Sequence, residues 1–241
     1  MERTLSDLQL TYVDLYLVHF PIALQFVPFH EQYPPHGWTR GPGHKMELDE
    51  NISIRDVWTK MECLLETHKT SEIGVSNFNV ALLREILAFA KHPPSVLQVE
   101  LHPYLSQPNL LRFCREHNIQ VCAYSPLGGS AYVQHDLASK EKLSNANLLQ
   151  DPIILDIAKE LNKTPRQIVL KWGLQRGTGV IFKSCQLKHI EENIDVADSQ
   201  GGFQLSDGHM KRIDGQNRNL RFNDPVEFGE RLFQCWFSLF D

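Results

Sequence analysis

Apolar residues along this chain come in two rhythms. Short runs without alternation, at 13–18, 73–75, 96–101, 119–124 and 179–182, carry the mark of parallel strands covered on both faces. Between them the spacing changes to that of helices. Leu5, Leu8 and Tyr12 predict the tail of a helix over 4–11. Ser53 caps a helix to 68 with Val57, Met61, Leu64 and Leu65 on one face, and Asn79 caps another to 91 with Leu82, Leu83, Ile86, Leu87 and Ala90 inward. Pro108 opens a helix that Asn118 stops, and Asp151-Pro152 opens a short one. Thr164-Pro165-Arg166-Gln167 is a capping box whose helix ends at Gly177. Two more helices are predicted near 186–197 and 206–216. Strands alternating with helices at this spacing mean a parallel α/β sheet with right-handed crossovers. Long loops are predicted at 22–51 and 127–150, with no internal repeat and no low-complexity segment.

Composition narrows the partners. With 241 residues and 42% hydrophobic content, the chain supplies the core of one α/β domain. A net charge of -5 and no Lys/Arg run argue against nucleic acid. The five cysteines show no paired or metal-ligand spacing, so they read as reduced thiols of a cytoplasmic protein and no metal is expected. Residues 1–7 have no apolar stretch of the signal-peptide kind, and no run is long enough to cross a bilayer, so no membrane partner is expected.

The chemistry sits where strands stop. His19 ends the first run, just before Pro21. A lone histidine there is, by itself, more often a packed core residue than a catalyst. The ends that follow change the weighing: Gly74-Val75-Ser76-Asn77-Phe78, Leu97-Gln98-Val99-Glu100, Ala123-Tyr124-Ser125-Pro126-Leu127-Gly128 and Val180-Ile181-Phe182-Lys183-Ser184. Each sets polar groups or a ring at a carboxyl end, the end where parallel α/β sheets bind ligands.

Together these motifs resemble the aldo-keto reductase family. Leu17-Val18-His19-Phe20-Pro21, Phe26-Val27-Pro28-Phe29, Tyr33-Pro34-Pro35 and Leu220-Arg221-Phe222-Asn223-Asp224-Pro225 are similar to its fungal D-xylose reductase branch. The resemblance covers 1–225, a partial reductase barrel, and fails over 226–241, a divergent aromatic tail. It implies an α/β fold of the (β/α)8 TIM-barrel type, truncated at the N-terminus to about five of eight strands. In the family, a segment ahead of the match to residue 1 carries the Asp, Tyr and Lys of the four catalytic residues. Only His19 of the four is present, so impaired activity is expected.

The resemblance also assigns roles. His19 orients the substrate carbonyl, and Asn223 binds the polyol. Ser76, Asn77 and Gln98 hold the nicotinamide carboxamide, whose amide needs both a donor and an acceptor. Tyr124 stacks on the nicotinamide, and Ser125, Leu127 and Gly128 run along the pyrophosphate. Lys183, Ser184, Cys185 and His189 fall in the 2′-phosphate site, with Glu192 and Asn193 at the adenine. Three positions depart from the family: Phe182 stands for Pro, Cys185 for Asn and His189 for Arg. Losing the guanidinium weakens recognition of a phosphate. The implied cofactor is NADPH (NADP+), with NADH use left open. The implied partner is a small aldose or aldehyde, and a homodimer is compatible. Two other readings stay open, a catalytically inactive nucleotide-binding or regulatory module and a structural barrel subunit.

Overall fold

A computed structural model describes residues 1–30, 48–129, 146–197 and 202–223. The tail over 226–241 and much of the two long loops lie outside these residues. The described strands are parallel neighbours in chain order, β1 (Val13–Val18), β2 (Thr70–Ser76), β3 (Val96–Glu100), β4 (Gln120–Tyr124) and β5 (Gly179–Val180). The chain divides into two compact units at residues 97 and 98.

In the first unit, α1 (Glu2–Leu8) leads into β1, which pairs with β2 in register from Val13↔Thr70 to Val18↔Val75. Ser53 and Asp56 close a reciprocal capping box at the start of α2 (Ile54–Glu66), and the Asn79 side chain caps α3 (Val80–Leu87). Trp58, Ile73, Val75, Leu83, Ile86 and Leu97 form the core, each worth roughly 1.5–3 kcal/mol of burial. Trp58 also donates from Nε1 to the His92 carbonyl at 3.2 Å.

Three sequence expectations change here. β1 is half-buried rather than buried, because among the described strands it pairs with β2 alone, at one end of the strand order. α1 stops at Leu8, where Gln9 turns left-handed. α3 stops at Leu87 instead of 91 because the Glu62 carboxylate takes the Lys91 and His92 N–H groups, at 2.7 and 2.9 Å.

The second unit holds the end of β3, then α4 (Pro108–Glu116), β4, α5 (Pro152–Glu160), α6 (Pro165–Gln175), β5, α7 (Leu187–Ile194) and α8 (Asp207–Asp214). Asp151 caps α5 through the Ile153 and Ile154 N–H groups, and Thr164 with Gln167 closes the capping box of α6. Leu101, Tyr104, Ile154, Ile157, Ile168, Trp172 and Phe222 are its buried centre. Trp172 Nε1 donates to Asp214 at 2.9 Å and joins α6 to α8. β5 is shorter than the predicted 179–182. Its ladder ends with Ile181 N–H on the Ala123 carbonyl, since the next carbonyl on that side, that of Ser125, turns away at φ 48 and accepts from Gly128 N–H at 2.9 Å instead.

Candidate functional site

In the first unit, the ends of β1 and β2 bring His19, Ser76 and Asn77 together. Asn77 sits at φ 64, a left-handed conformation that asparagine tolerates better than most residues. That turn aims its amide back at β1: Nδ2 donates to the His19 carbonyl at 2.9 Å and to Ser76 Oγ at 3.2 Å. Ser76 and Asn77 are buried, whereas His19 is exposed, so it is not a core histidine. Its ring lies 4.7 Å from that of Phe20. Although the residue is exposed, partial burial of the ring desolvates it and lowers its pKa below the usual histidine value, which keeps the imidazole neutral at pH 7.

In the second unit, β4 and β5 run side by side, Cys122↔Gly179 and Ala123↔Val180, so the loops leaving their carboxyl ends are neighbours. From β4 comes Tyr124, half-buried, then Ser125 at φ 48 and Gly128 at φ 82. Gly128 N–H closes the turn on the Ser125 carbonyl at 2.9 Å. Leu127 is half-buried in that turn. A Cβ at the following Gly129 would lie 2.5 Å from the Phe222 ring, so that ring and the loop backbone fit only without a side chain.

From β5 come Lys183 and Cys185, exposed, with Ser184 half-buried between them. Ser184 Oγ accepts from Gln186 N–H at 3.2 Å. Gln186 gives α7 no side-chain cap, which leaves its first turn open to an anion. His189 lies in that turn, half-buried. Glu192 anchors α7 through its carbonyl, which accepts from Gln167 at 3.3 Å. Asn193 is buried, and neither its amide oxygen nor its amide nitrogen has a hydrogen-bond partner among the described residues. A buried amide with donor and acceptor both unspent is costly and suits the paired donor and acceptor of a purine edge. The orphaned amide, the uncapped helix start and the adjacent strand ends fit a nicotinamide nucleotide. Gln98 is half-buried on β3.

The structure also joins two residues far apart in sequence. Asn223 donates from Nδ2 to the Tyr124 hydroxyl at 3.2 Å. Behind them stands Glu100, to which sequence reasoning gave no role. Its buried carboxylate accepts from His102 Nε2 and from the Phe222 and Asn223 backbone N–H groups. Burial pushes its pKa up, but the His102 and backbone hydrogen bonds outweigh that and hold the carboxyl below the usual range. The signal was a charge closing a strand that is apolar but for Gln98.

The profile of the Aldo/keto reductase family matches residues 1–218. The chain is 38% identical over 237 residues to the NAD(P)H-dependent D-xylose reductase of Kluyveromyces lactis, covering 97% of this chain and 70% of that protein. It is 42% identical over 228 residues to the NAD(P)H-dependent D-xylose reductase of Scheffersomyces stipitis, covering 95% and 69%. Among solved structures, the aldose reductase of Schistosoma japonicum superposes with a TM-score of 0.76 at 32% identity, over 95% of this chain and 66% of that one. The chain therefore spans about two thirds of the length of the relatives it matches.

Proposed function

The chain belongs to the aldo/keto reductase family, and from that premise we propose that it serves NAD(P)H-dependent reduction of an aldose, D-xylose to xylitol, or a related aldehyde. One observation carries the reading. The resemblance assigns Tyr124 to the nicotinamide and Asn223 to the sugar independently, and their side chains meet at 3.2 Å. Xylose reductases among its relatives support the same substrate class.

In this reading His19 donates a hydrogen bond to the substrate carbonyl. A neutral imidazole suits that role, because one ring nitrogen then carries a proton while no charge has to be buried. Ser76, Asn77 and Gln98 hold the carboxamide, and Tyr124 presents its ring to the nicotinamide. Lys183 and Ser184, ahead of the uncapped start of α7, receive the 2′-phosphate. Glu192 and Asn193 hold the adenine. When bound, the cofactor supplies the hydride. His189 where relatives of this type carry Arg weakens the preference for NADPH and admits NADH. Free thiols at Cys63, Cys114, Cys122 and Cys185 support a cytoplasmic setting. A homodimer belongs to the same reading and is checked by sedimentation.

Residues 1–241 contain no match to the family's catalytic Asp, Tyr and Lys. Without a positioned general acid, turnover by this stretch alone is expected to fall by about 10²–10⁴-fold. Fluorescence titration of residues 1–241 with NADPH tests the binding half, and NADPH oxidation with D-xylose tests turnover. A folded chain that takes up no NADPH would overturn the proposal. Ordinary turnover with D-xylose would overturn the impairment.

A further inference from the structure

Glu100 is fully buried at the end of β3, and its two carboxylate oxygens face three donors. Oε1 accepts from His102 Nε2 at 3.0 Å and from Phe222 N–H at 2.7 Å, while Oε2 accepts from Asn223 N–H at 2.9 Å. The Arg221 guanidinium lies 3.9 Å from Oε2. The same segment is tied down upstream without Glu100. Asn217 Oδ1 accepts from Ser106 N–H at 3.1 Å, and the Tyr104 carbonyl accepts from Arg218 and Leu220 N–H at 3.1 and 3.0 Å. Removing the carboxylate thus releases residues 222 and 223 and leaves 217–220 held.

A buried carboxylate is an expensive way to fill a core, where an apolar side chain would pack without desolvation cost. What it provides here is a fixed position for one short piece of backbone. That piece carries the Asn223 amide to the Tyr124 hydroxyl. We infer that Glu100 is a positioning residue for substrate: by clamping the backbone of residues 222 and 223 it sets the Asn223 amide against Tyr124 and so fixes the affinity for a polyhydroxylated ligand. The inference rests on the roles proposed above for Asn223 and Tyr124.

Glu100→Gln keeps the shape and replaces one acceptor oxygen by an amide. Turned either way, the new NH2 meets a donor, either Asn223 N–H or the pair from Phe222 and His102. The test uses residues 1–241 as wild type, Glu100→Gln, Asn223→Ala and the double variant. Amide hydrogen exchange reads the clamp, NADP+ titration reads the nucleotide, and calorimetry of xylitol into the NADP+-saturated protein reads the sugar. In Glu100→Gln, exchange at residues 222 and 223 accelerates while 218 and 220 keep their rates. The xylitol Kd rises about tenfold, as loss of a charge-assisted hydrogen bond requires. The double variant binds xylitol no worse than Asn223→Ala. A further tenfold loss on the Asn223→Ala background would show that Glu100 acts by another route and would overturn the inference, as would unchanged exchange at 222 and 223. If the wild type binds NADP+ but no xylitol, the sugar role of Asn223 falls, and the exchange rates still decide the clamp. If Glu100→Gln does not fold, Tyr124→Phe breaks the same chain at its far end while leaving Glu100 in place. It should raise the xylitol Kd severalfold, and an unchanged value would overturn the inference.

Discussion

Tyr124 and His189 carry the two sharpest consequences at the scale of single residues. Tyr124 presents a half-buried ring at the end of β4, and its hydroxyl is already engaged by Asn223. Tyr124→Ala removes ring contact as well as area, and should weaken NADPH binding by about 1–3 kcal/mol, read as a raised Kd in a fluorescence titration. His189 occupies the first turn of α7, ahead of which no side chain caps the helix. His189→Arg restores a planar fork at that turn, and only NADPH offers it a 2′-phosphate. Its affinity for NADPH should rise more than its affinity for NADH. Equal gains for both cofactors would show that the residue faces away from the phosphate.

Strands and turns set the predictions at the scale of elements. Gly74 lies in β2 where a Cβ would come within 2.4 Å of the Val96 carbonyl oxygen and 2.7 Å of a Leu17 methyl. The first neighbour is backbone and cannot swing aside. Gly74→Ala is therefore expected to cost about 1–3 kcal/mol, measured as a lower urea midpoint. The opposite change is expected between α2 and β2. His68 sits there at φ 55, a left-handed conformation that costs a non-glycine residue free energy. His68→Gly relieves that strain but loosens the unfolded chain, and should stabilise by about 0.5 kcal/mol, seen as a small rise in Tm.

Among the groups that shape the response of the whole molecule to acid, His19 and Glu100 stand one in each unit. Burial lowers the pKa of His19, so the unfolded chain takes up this proton first. Its contribution is complete above about pH 6.5 and is lost as pH falls from there toward the folded value. Glu100 is held down by His102 and two backbone N–H groups in spite of its burial. Its contribution is present above about pH 4.3, the unfolded value, and is lost as pH falls through the folded one. Urea midpoints should be level from pH 7 to 8, decline first below about 6.5, and decline again below about 4.3. His19→Asn should remove the first decline and leave the second. Survival of the first decline in that variant would assign it to another histidine.

Local order was legible in the sequence because its causes lie within a few residues of one another. The Ser53 cap, the capping box of Thr164 and Gln167, and the Asp151 cap are all closed between side chains and backbone in one turn. The unalternating apolar runs were enough for parallel strands, and their polar ends marked His19, Asn77, Tyr124 and Lys183. What the sequence could not determine depends on contacts between distant positions. The end of α3 is decided by Glu62, 29 residues from the Lys91 N–H that it takes. The length of β5 is decided on the neighbouring strand, where Ser125 turns left-handed and its carbonyl takes the Gly128 N–H. The clamp of Glu100 on Phe222 spans 122 residues, and the meeting of Asn223 with Tyr124 spans 99. A carboxylate at a strand end reads as a surface charge until the fold buries it against N–H groups that need an acceptor. The residue types were therefore in the sequence, and only the tertiary structure decided which of them would share a hydrogen bond.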